Sequence, residues 1–366
     1  MKKIMLVFGT RPEAIKMCPL VNELKSRPDQ FLVSVCVTGQ HREMLDQVLN
    51  VFNVLPDYDL NIMKSGQTLF DVTCNVLSRL KQIIEEDEPD VVLVHGDTTT
   101  SFAAALACFY LHIPIGHVEA GLRTNDLQSP WPEEFNRQAV DLIADYYFAP
   151  TETSRQNLLS EGKDPSKIWV TGNTGIDALQ TTIRNDYVNE ELDWACGSRL
   201  ILITAHRREN LGEPMHHMFK AIRRVMEEHP DTKAIYPIHM NPKVREAAHA
   251  ELDGFDRLRI IEPLEVLDFH NFMNASHLIL TDSGGIQEEA PGLGKPVLVM
   301  RDTTERPEGI VAGTLKLVGT EEEPIYAEFS RLLADESEYQ KMSKASNPYG
   351  DGTASKQIAD ILAQHN

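Results

Sequence analysis

Two predicted strands each end in a histidine followed, two residues later, by a carboxylate. His95-Gly96-Asp97 follows the apolar run at 90–94, and His117-Val118-Glu119 closes a strand predicted at 113–118. Residues i and i+2 of a strand share a face, so one member of each pair can point into the same cleft. A helix predicted to begin at Pro132 adds further charges. The polar side chains expected on this rim are Asp97, Glu119, Glu133, Arg123 and Arg137.

Three interpretations of this rim compete. The carboxylates could act as general acids and bases in proton transfer at a sugar carbon. They could instead join His95 and His117 as ligands of a dinuclear metal site for phosphoester hydrolysis. The third interpretation is a structural network in which these groups satisfy one another. Two successive strand ends of the same kind favour a functional site, but spacing alone does not separate proton transfer from metal binding.

The stretch from 278 to 308 has the pattern of an anion site. Leu278 to Thr281 is predicted as a buried strand, and Asp282-Ser283-Gly284-Gly285 turns the chain into a helix beginning near Ile286. Two glycines allow a ligand to approach the backbone closely, and a helix start offers unpaired N–H groups with a positive dipole end. We therefore expect a phosphate there. Glu288 or Glu289, about one turn later, could accept two hydroxyls of a ribose.

Two arginines strengthen the phosphate interpretation. A strand predicted at 295–300 is followed by Arg301 and Arg306. Either guanidinium could neutralise a pyrophosphate in fork geometry. The alternative is a β/α/β unit in which the glycine pair only caps a helix.

Composition narrows the class of protein. The chain has 366 residues, is 42% hydrophobic and 25% charged, and carries a net charge of -20. That length suggests two domains, and the acidity argues against a nucleic-acid or anionic-membrane partner. No run is long enough to span a bilayer, and the apolar run after Lys2-Lys3 is too short for a secretory leader. The scattered cysteines form no C-x-x-C pair, so we expect a cytoplasmic protein without a thiolate zinc site: Cys18, Cys36, Cys74, Cys108 and Cys196.

The order of elements predicts an α/β protein with two β/α/β halves. In the first half, Gly9-Thr10-Arg11 follows a strand and Lys16 lies about one turn into the next helix. No G-x-G-x-x-G follows that strand, so no dinucleotide cofactor is indicated. We place the hinge at the Gly/Asn-rich break 172–175. The predicted domains are 1–172, with a last helix at 351–366 crossing back onto it, and 173–350.

The second half repeats the strand–helix alternation. One strand ends in His206-Arg207-Arg208, which reads as an anion-binding loop, and another ends in His239. Although the protein is acidic overall, its strand-end loops hold several arginines. This concentrates positive potential in one predicted cleft between the two domains. The arginines concerned are Arg11, Arg123, Arg207, Arg208, Arg301 and Arg306.

Together these motifs resemble the non-hydrolysing bacterial UDP-N-acetylglucosamine 2-epimerases, and the likeness covers essentially the whole chain. The resemblance implies two Rossmann-like domains of the GT-B type with the active site in the cleft, and no nicotinamide or metal cofactor. The motifs that carry it are Gly9-Thr-Arg-Pro-Glu-Ala-Ile-Lys16, His95-Gly-Asp-Thr-Thr-Thr100, His117-Val-Glu-Ala-Gly-Leu-Arg123, Pro132-Glu-Glu134, His206-Arg-Arg-Glu209, Asp282-Ser-Gly-Gly285 and Asn347-Pro-Tyr-Gly-Asp-Gly352.

The resemblance also implies roles for individual residues. Asp97, Glu119 and Glu133, with Arg137 beside them, would serve the sugar and its proton transfers, and His206 would stabilise the leaving diphosphate. Leu264 stands where some members have a glutamine that contacts uracil. The residues implied to hold the UDP part are Arg11, Lys16, His206, Phe269, Ser283, Gly284, Gly285, Glu289 and Arg306.

The implied reaction is reversible inversion at C2 of UDP-N-acetylglucosamine, giving UDP-N-acetylmannosamine for bacterial surface polysaccharide. UDP would leave by elimination and add again to the 2-acetamidoglucal. Two other classes share the nucleotide-sugar site. A GT-B glycosyltransferase would need an acceptor, and a nucleotide-sugar-binding protein would bind without turnover.

The resemblance finally implies regulation and assembly. A second UDP-N-acetylglucosamine would bind beside the active site as an allosteric activator, and the family favours a homodimer. Glu43 stands where some members have glutamine, a charge that suits a diphosphate poorly unless it contacts the sugar. The residues implied for this effector site are Gln40, Glu43, Gln67, Arg207 and His239.

Overall fold

The computed structural model of the protein describes residues 1–39, 42–64, 66–304 and 306–365. The chain divides into two compact units: Met1–Thr181 together with the segment that starts at Tyr349, and Thr182–Pro348. The predicted boundary at 172/173 falls earlier in the chain than this division. The residues after 173 stay in the first unit because they form a helix whose Asp177 accepts a hydrogen bond from the Ser355 N–H at 2.7 Å.

The first unit is built on a parallel sheet in the order β3-β2-β1-β4-β5-β6-β7. Its strands are β1 (Lys2–Phe8), β2 (Phe31–Val37), β3 (Tyr58–Asp59), β4 (Val91–His95), β5 (Ile115–Val118), β6 (Tyr146–Ala149) and β7 (Ile168–Val170). The strand order reverses between β1 and β4, which pair in parallel. Ligands of such sheets bind outside the carboxyl ends of the strands at this reversal. The loops that follow β1 and β4 are therefore the expected site.

Helices cover this sheet. They are α1 (Arg11–Lys25), α2 (Arg42–Val51), α3 (Leu69–Asp87), α4 (Thr99–Tyr110), α5 (Glu133–Ile143), α6 (Glu152–Ser160) and α7 (Thr174–Thr182). A parallel strand covered on both faces must be apolar throughout, and Ile4 to Phe8 of β1 are fully buried. The start of α1 is fixed by a capping box, in which Thr10 accepts from the Glu13 N–H and the Glu13 carboxylate accepts from Thr10 N at 2.7 Å.

The second unit repeats the design with a parallel sheet in the order β10-β9-β8-β11-β12-β13. Its strands are β8 (Arg199–Thr204), β9 (Thr232–Pro237), β10 (Leu258–Ile261), β11 (Leu278–Thr281), β12 (Val297–Val299) and β13 (Leu315–Leu317). Here the order reverses between β8 and β11. The loops starting at His206 and at Asp282 follow these two strands. This pair of Rossmann-like units confirms the predicted fold class.

The helices of the second unit supply most of its core. They are α8 (Glu190–Ala195), α9 (Glu213–Glu228), α10 (Pro242–Leu252), α11 (Val266–Ala275), α12 (Gly284–Gly292), α13 (Pro307–Ala312), α14 (Glu322–Ala334) and α15 (Glu336–Ser343). In α9 the buried residues Met215, Met218, Phe219 and Ile222 recur at the spacing of one helix face. That face packs into a cluster with the apolar side chains of β8 and β11.

The short elements differ most from the sequence prediction. The acidic stretch 185–197 contains α8, which was not predicted from the sequence and whose first turn is capped by Asn189. Strand β13 was not predicted because three residues carry too little periodicity to be recognised.

The last helix, α16 (Ala354–Gln364), packs on α1 within the first unit. Ile358 and Leu362 of α16 are fully buried, and Asp360 pairs with Arg27 of the segment that follows α1. None of the helices among the described residues is long and apolar enough to cross a membrane.

Candidate active site

The carboxylate of Glu119 lies just beyond β5 and forms an ion pair with a lysine side chain. Lys16 of α1 forms an ion pair and hydrogen bond with Glu119 Oε2, and Asn173 Nδ2 lies 3.4 Å from the same oxygen. The backbone of Glu119 has φ +70°. A residue other than glycine in this left-handed region costs of the order of 1–3 kcal/mol, and such residues cluster at functional sites. The structure thus brings together Lys16 and Glu119, which were predicted on different grounds.

Asp97 follows β4 and is held by Arg137 of α5. The Arg137 Nε lies 3.1 Å from Asp97 Oδ2, and its Nη1 lies 3.0 Å from Glu134 Oε2. Glu134 is fully buried and also accepts the backbone N–H groups of Thr124 and Asn125. The predicted group, Glu133, is partly exposed at the start of α5 and makes no side-chain hydrogen bond within the described ranges. Of the two neighbouring glutamates, Glu134 positions the loop and Glu133 is left available for a ligand.

Two predicted members of the rim lie elsewhere. The Arg123 side chain is only 1% exposed and pairs with Asp141 Oδ2 at 2.8 Å, so the expectation that it faces the cleft was wrong. His117 is fully buried, with Nδ1 2.6 Å from Asp141 Oδ1 and Nε2 2.8 Å from the Gly96 carbonyl oxygen. Burial raises the pKa of Asp141, but His117 and Arg123 outweigh it and hold that pKa below its usual value.

This network removes His117 from the metal-site interpretation, because neither ring nitrogen is left to ligate an ion. Within the described part of the chain, no cluster of three or more His, Cys, Asp or Glu side chains has an arrangement that could hold a metal ion. The remaining carboxylates are instead paired with cations: Glu119 with Lys16, and Asp97 with Arg137. That pairing suits groups that act while ionised.

In the second unit, the fully buried carboxylate of Asp282 organises the loop after β8. Asp282 Oδ2 accepts the backbone N–H groups of His206 and Arg207, both at 2.8 Å, and the Asn210 side chain at 3.2 Å. Its other oxygen lies 3.5 Å from His206 Nδ1. From the sequence, Asp282 was interpreted only as part of a turn. An aspartate at the switch point, two residues before a helix, was the available signal.

The imidazole of His206 is half-buried and stacks on His239, with ring centroids 5.3 Å apart. Burial lowers the pKa of His206, and His239 and Arg207 lower it further, whereas the Asp282 carboxylate acts in the opposite direction. The net effect is a pKa below the usual histidine value, so the neutral imidazole is favoured near pH 7.

The glycine pair opens α12 as an anion site should. Helix α12 begins at Gly284, slightly before the predicted start, and Ser283 makes no side-chain cap that would occupy its first N–H groups. The guanidinium of Arg306 lies directly over this point, because a Cβ on Gly284 would come within 2.9 Å of Arg306 Nη1. The helix start and Arg306 can thus bind one anion together.

Burial distinguishes Glu288 from Glu289, and Arg301 from Arg306, as candidate ligand-binding residues. Glu288 is buried and accepts from Arg306 Nε at 2.7 Å, whereas Glu289 is more exposed and lies 3.6 Å from His270 Nε2. Glu289 is therefore the candidate for ribose hydroxyls. Arg301 is buried and its Nε lies 3.2 Å from Glu209, so Arg306 is the better phosphate ligand of the two predicted arginines.

The remaining predicted residues differ in how much the structure shows. Arg11 is exposed on the first turn of α1, and Phe269 is partly buried on α11. Of the implied effector residues, His239 is exposed, Arg207 Nε donates to the Asp282 carbonyl at 3.2 Å, and Gln67 is partly buried. Gln40 and the side chain of Glu43 lie outside the described residues.

Comparison with known proteins gives consistent matches over nearly the full chain. A family model described as UDP-N-acetylglucosamine 2-epimerase matches residues 22–363. The chain is 61% identical over 365 residues to a UDP-N-acetylglucosamine 2-epimerase of Bacillus subtilis, covering 99% of this chain and 95% of that protein. A solved structure from Listeria monocytogenes is similar with a TM-score of 0.96 and 55% identity, covering 100% of this chain and 97% of that one.

A further solved structure carries a ligand. The UDP-GlcNAc 2-epimerase of Neisseria meningitidis, crystallised with UDP-GlcNAc bound, is similar with a TM-score of 0.89 and 50% identity. The match covers 99% of this chain and 100% of that one.

The charges around His206 lead to a titration prediction. The His206 resonance should titrate below the ordinary histidine midpoint of about 6.5, and Asp282→Asn should lower the midpoint further because it removes the charge that stabilises the imidazolium. His239→Phe should raise the midpoint, since it keeps the stacked ring but removes a competing cation. Side-chain NMR titration measures all three proteins. An unchanged midpoint in Asp282→Asn would contradict this electrostatic description.

Proposed function

The chain belongs to the UDP-N-acetylglucosamine 2-epimerase family, and we propose that it interconverts UDP-N-acetylglucosamine and UDP-N-acetylmannosamine. The observation that carries the proposal is the chemistry at the two switch points. The first unit presents Glu119 and Asp97, each paired with a cation, and the second presents a helix start covered by Arg306. The first set suits proton transfer, and the second suits a diphosphate.

The reaction has to break a C–H bond at a carbon that is not acidic. A free carbanion at C2 is avoided if the proton leaves as the bond between C1 and the diphosphate oxygen breaks. The C–H electron pair becomes the C1–C2 double bond, a carboxylate takes the proton, and the C1–O pair departs with UDP. The products of this step are UDP and 2-acetamidoglucal.

The return step inverts the configuration. A β-phosphate oxygen of UDP attacks C1, and a proton is delivered to C2 on the face opposite to the one it left. Two faces require two acid/base groups, which Asp97, Glu119 and Glu133 can supply. The charge on the departing diphosphate is stabilised by His206, by Arg306 and by the N–H groups of Gly284 and Gly285, since the Ser283 N–H already donates to Thr281 Oγ1. We propose that Arg11 and Lys16 assist with the phosphates, and Phe269 and Glu289 with the nucleoside.

We further propose that the reaction takes place in the cytoplasm and supplies bacterial surface polysaccharide synthesis. Free thiols suit a reducing compartment. The cysteines are all unpaired, and Cys18, Cys36 and Cys108 are buried.

Incubation with UDP-N-acetylglucosamine alone, in deuterated water, tests the function. We expect UDP-N-acetylmannosamine to appear by NMR with deuterium at C2, and oxygen label in the C1–O–P bridge to scramble into the non-bridging β-phosphate positions. Asp97→Asn, Glu119→Gln and Glu133→Gln should each lower kcat by about a hundredfold or more, which is the scale of general acid–base catalysis.

Glu152→Gln is the control, since this exposed residue lies on α6 and, among the described residues, its side chain pairs only with its helix neighbours Arg155 and Gln156. Retention of the C2 proton, or turnover that requires an added sugar acceptor, would indicate a different reaction. Binding without any turnover would indicate a nucleotide-sugar-binding protein.

We also propose an activating site for a second UDP-N-acetylglucosamine, formed by Gln40, Glu43, Gln67, Arg207 and His239. Two observations support it: His239 is exposed beside His206, and the Gln67 Oε1 is buried without a hydrogen-bond partner within the described ranges. A ligand that binds one conformational state more tightly shifts the population toward that state.

This site predicts sigmoidal dependence of rate on UDP-N-acetylglucosamine, with coupling of about 1–3 kcal/mol. The reverse reaction should be slow with UDP-N-acetylmannosamine until a little UDP-N-acetylglucosamine is added. Gln67→Ala and His239→Ala should weaken this activation in steady-state assays. Hyperbolic kinetics in both directions would show that the chain lacks the effector site.

We propose, finally, that the protein forms a homodimer through the apolar surface of α3, α4 and α5, which pack side by side. Exposed apolar patches of this kind mark interaction surfaces. Its exposed side chains are Phe70, Phe109, Tyr110, Phe135 and Leu142.

The dimer is checked by analytical ultracentrifugation. The wild-type protein should sediment as a dimer, and Phe109→Glu combined with Leu142→Glu should give a folded monomer. Val188→Glu, at an exposed apolar residue of the second unit, should remain a dimer. A wild-type monomer at micromolar concentration would contradict the proposal.

A further inference from the structure

We infer that His95 is a positioning residue for Glu119, and that its neutral imidazole supports the Glu119 carboxylate through both halves of the proton transfer. The inference rests on the proposed function, since it assigns His95 a task only if Glu119 exchanges a proton with the substrate. From the sequence alone, His95 could be a metal ligand or a structural residue.

The geometry sets His95 apart from His117, the other buried histidine among the described residues of the first unit. His95 is the last residue of β4 and is only 5% exposed. Its Nε2 is buried and makes no hydrogen bond among the described residues, and it lies 3.6 Å from Glu119 Oε2. By contrast, both ring nitrogens of His117 are occupied. Buried polar atoms are nearly always hydrogen-bonded, so an unpartnered nitrogen that faces a reactive carboxylate needs an explanation.

The backbone around His95 holds the ring at that position. The His95 carbonyl oxygen accepts a hydrogen bond from Ser101 Oγ at 2.6 Å, at the start of α4. Gly96 follows with φ +60°, and a Cβ placed there would lie 3.4 Å from Glu119 Oε1. The two strand ends thus meet closely, and a small movement of the Glu119 side chain would close the distance to Nε2. Hydrogen bonds of catalytic groups are often long before the substrate binds.

The charges around His95 keep the ring neutral. The groups that face it are Glu119 after β5, Lys16 from α1 and His117 from β5. Burial lowers the pKa of His95 to about 3, and Lys16 and His117 act in the same direction against Glu119. A neutral imidazole has one donor nitrogen and one acceptor nitrogen.

That neutrality matters because Glu119 must exist in two protonation states. Lys16 favours only the ionised carboxylate, since a cation stabilises an anion. A neutral Nε2 that carries the ring proton can donate to the carboxylate, and in the other tautomer it can accept from the protonated acid. The ring therefore supports either state without adding a charge. Donation to the anion is the stronger bond, so loss of the ring should disfavour ionised Glu119.

The test compares His95→Phe, which keeps an aromatic ring without nitrogen, with His95→Gln, whose amide can reach the Nε2 position. We expect His95→Phe to lower kcat about 10- to 100-fold with KM within about twofold, a smaller effect than the roughly 10²–10⁴-fold contributed by a group that itself transfers the proton. In a plot of kcat/KM against pH, the acidic limb (the rise at low pH) should move to higher pH by about one unit. His95→Gln should restore the limb toward its wild-type position.

Three controls keep the result interpretable. His277→Phe removes a partly buried histidine of the second unit whose Nε2 likewise has no hydrogen-bond partner among the described residues, and it should leave the acidic limb unchanged. UDP binding by calorimetry and the thermal unfolding midpoint report on integrity. If His95→Phe fails to fold, His95→Asn replaces it, because its shorter amide does not reach the Nε2 position.

The outcomes separate the two proposals. A wild-type protein that does not invert C2 would overturn the proposed function itself. An active wild type whose acidic limb is the same in the Phe, Gln and Asn variants would overturn only the role of His95 and leave it as a packing residue. An equal loss of kcat in all three variants with no shift of the limb leads to that same conclusion.

Discussion

A carboxylate that is removed from water must find several hydrogen-bond donors, and this requirement fixes the loops of both units. Glu13, Glu134, Asp141 and Asp282 are at most 1% exposed. Each accepts backbone N–H groups from a loop at the carboxyl end of a strand: the loop at Gly9 and Thr10, the loop at Thr124 and Asn125, the Gly121 turn, and the loop at His206 and Arg207. The strand-end loops are therefore specified by buried anions as much as by apolar packing.

This arrangement explains how an acidic protein presents cations to a ligand. The buried acids use backbone donors for much of their hydrogen bonding. Basic side chains from other segments then reach the same edges of the sheets, as Arg306 does over the start of α12 and Lys16 of α1 does beside Glu119. Helix starts add partial positive charge at the same edges of the sheets. The negative net charge of the chain therefore does not prevent a positive potential at these edges of the sheets.

Much of the fold could be predicted because its signals are long or strongly patterned. The apolar runs at 90–94 and 278–281 predicted the strands β4 and β11 that the structure shows. The site was predicted less completely. His117 and Arg123 have the same residue types as functional groups, and only the three-dimensional position of Asp141, on a helix further along the chain, shows that they are structural. Periodicity could not distinguish Glu288 from Glu289 either. The difference between them is that Glu288 is buried in an ion pair with Arg306.

The left-handed backbone of Glu119 has a consequence for relatives of this protein. Glycine adopts that conformation at little cost, and asparagine and aspartate adopt it more readily than glutamate does. The backbone alone therefore favours one of those residues, whereas the ion pair with Lys16 and the proposed proton transfer favour glutamate. A homologue that keeps the Asp-Ser-Gly-Gly turn but has glycine or asparagine here, with no cation at position 16, is expected to bind a nucleotide sugar without proton transfer at this position. This one backbone angle offers a way to tell a working member of the lineage from one that has been recruited to another task.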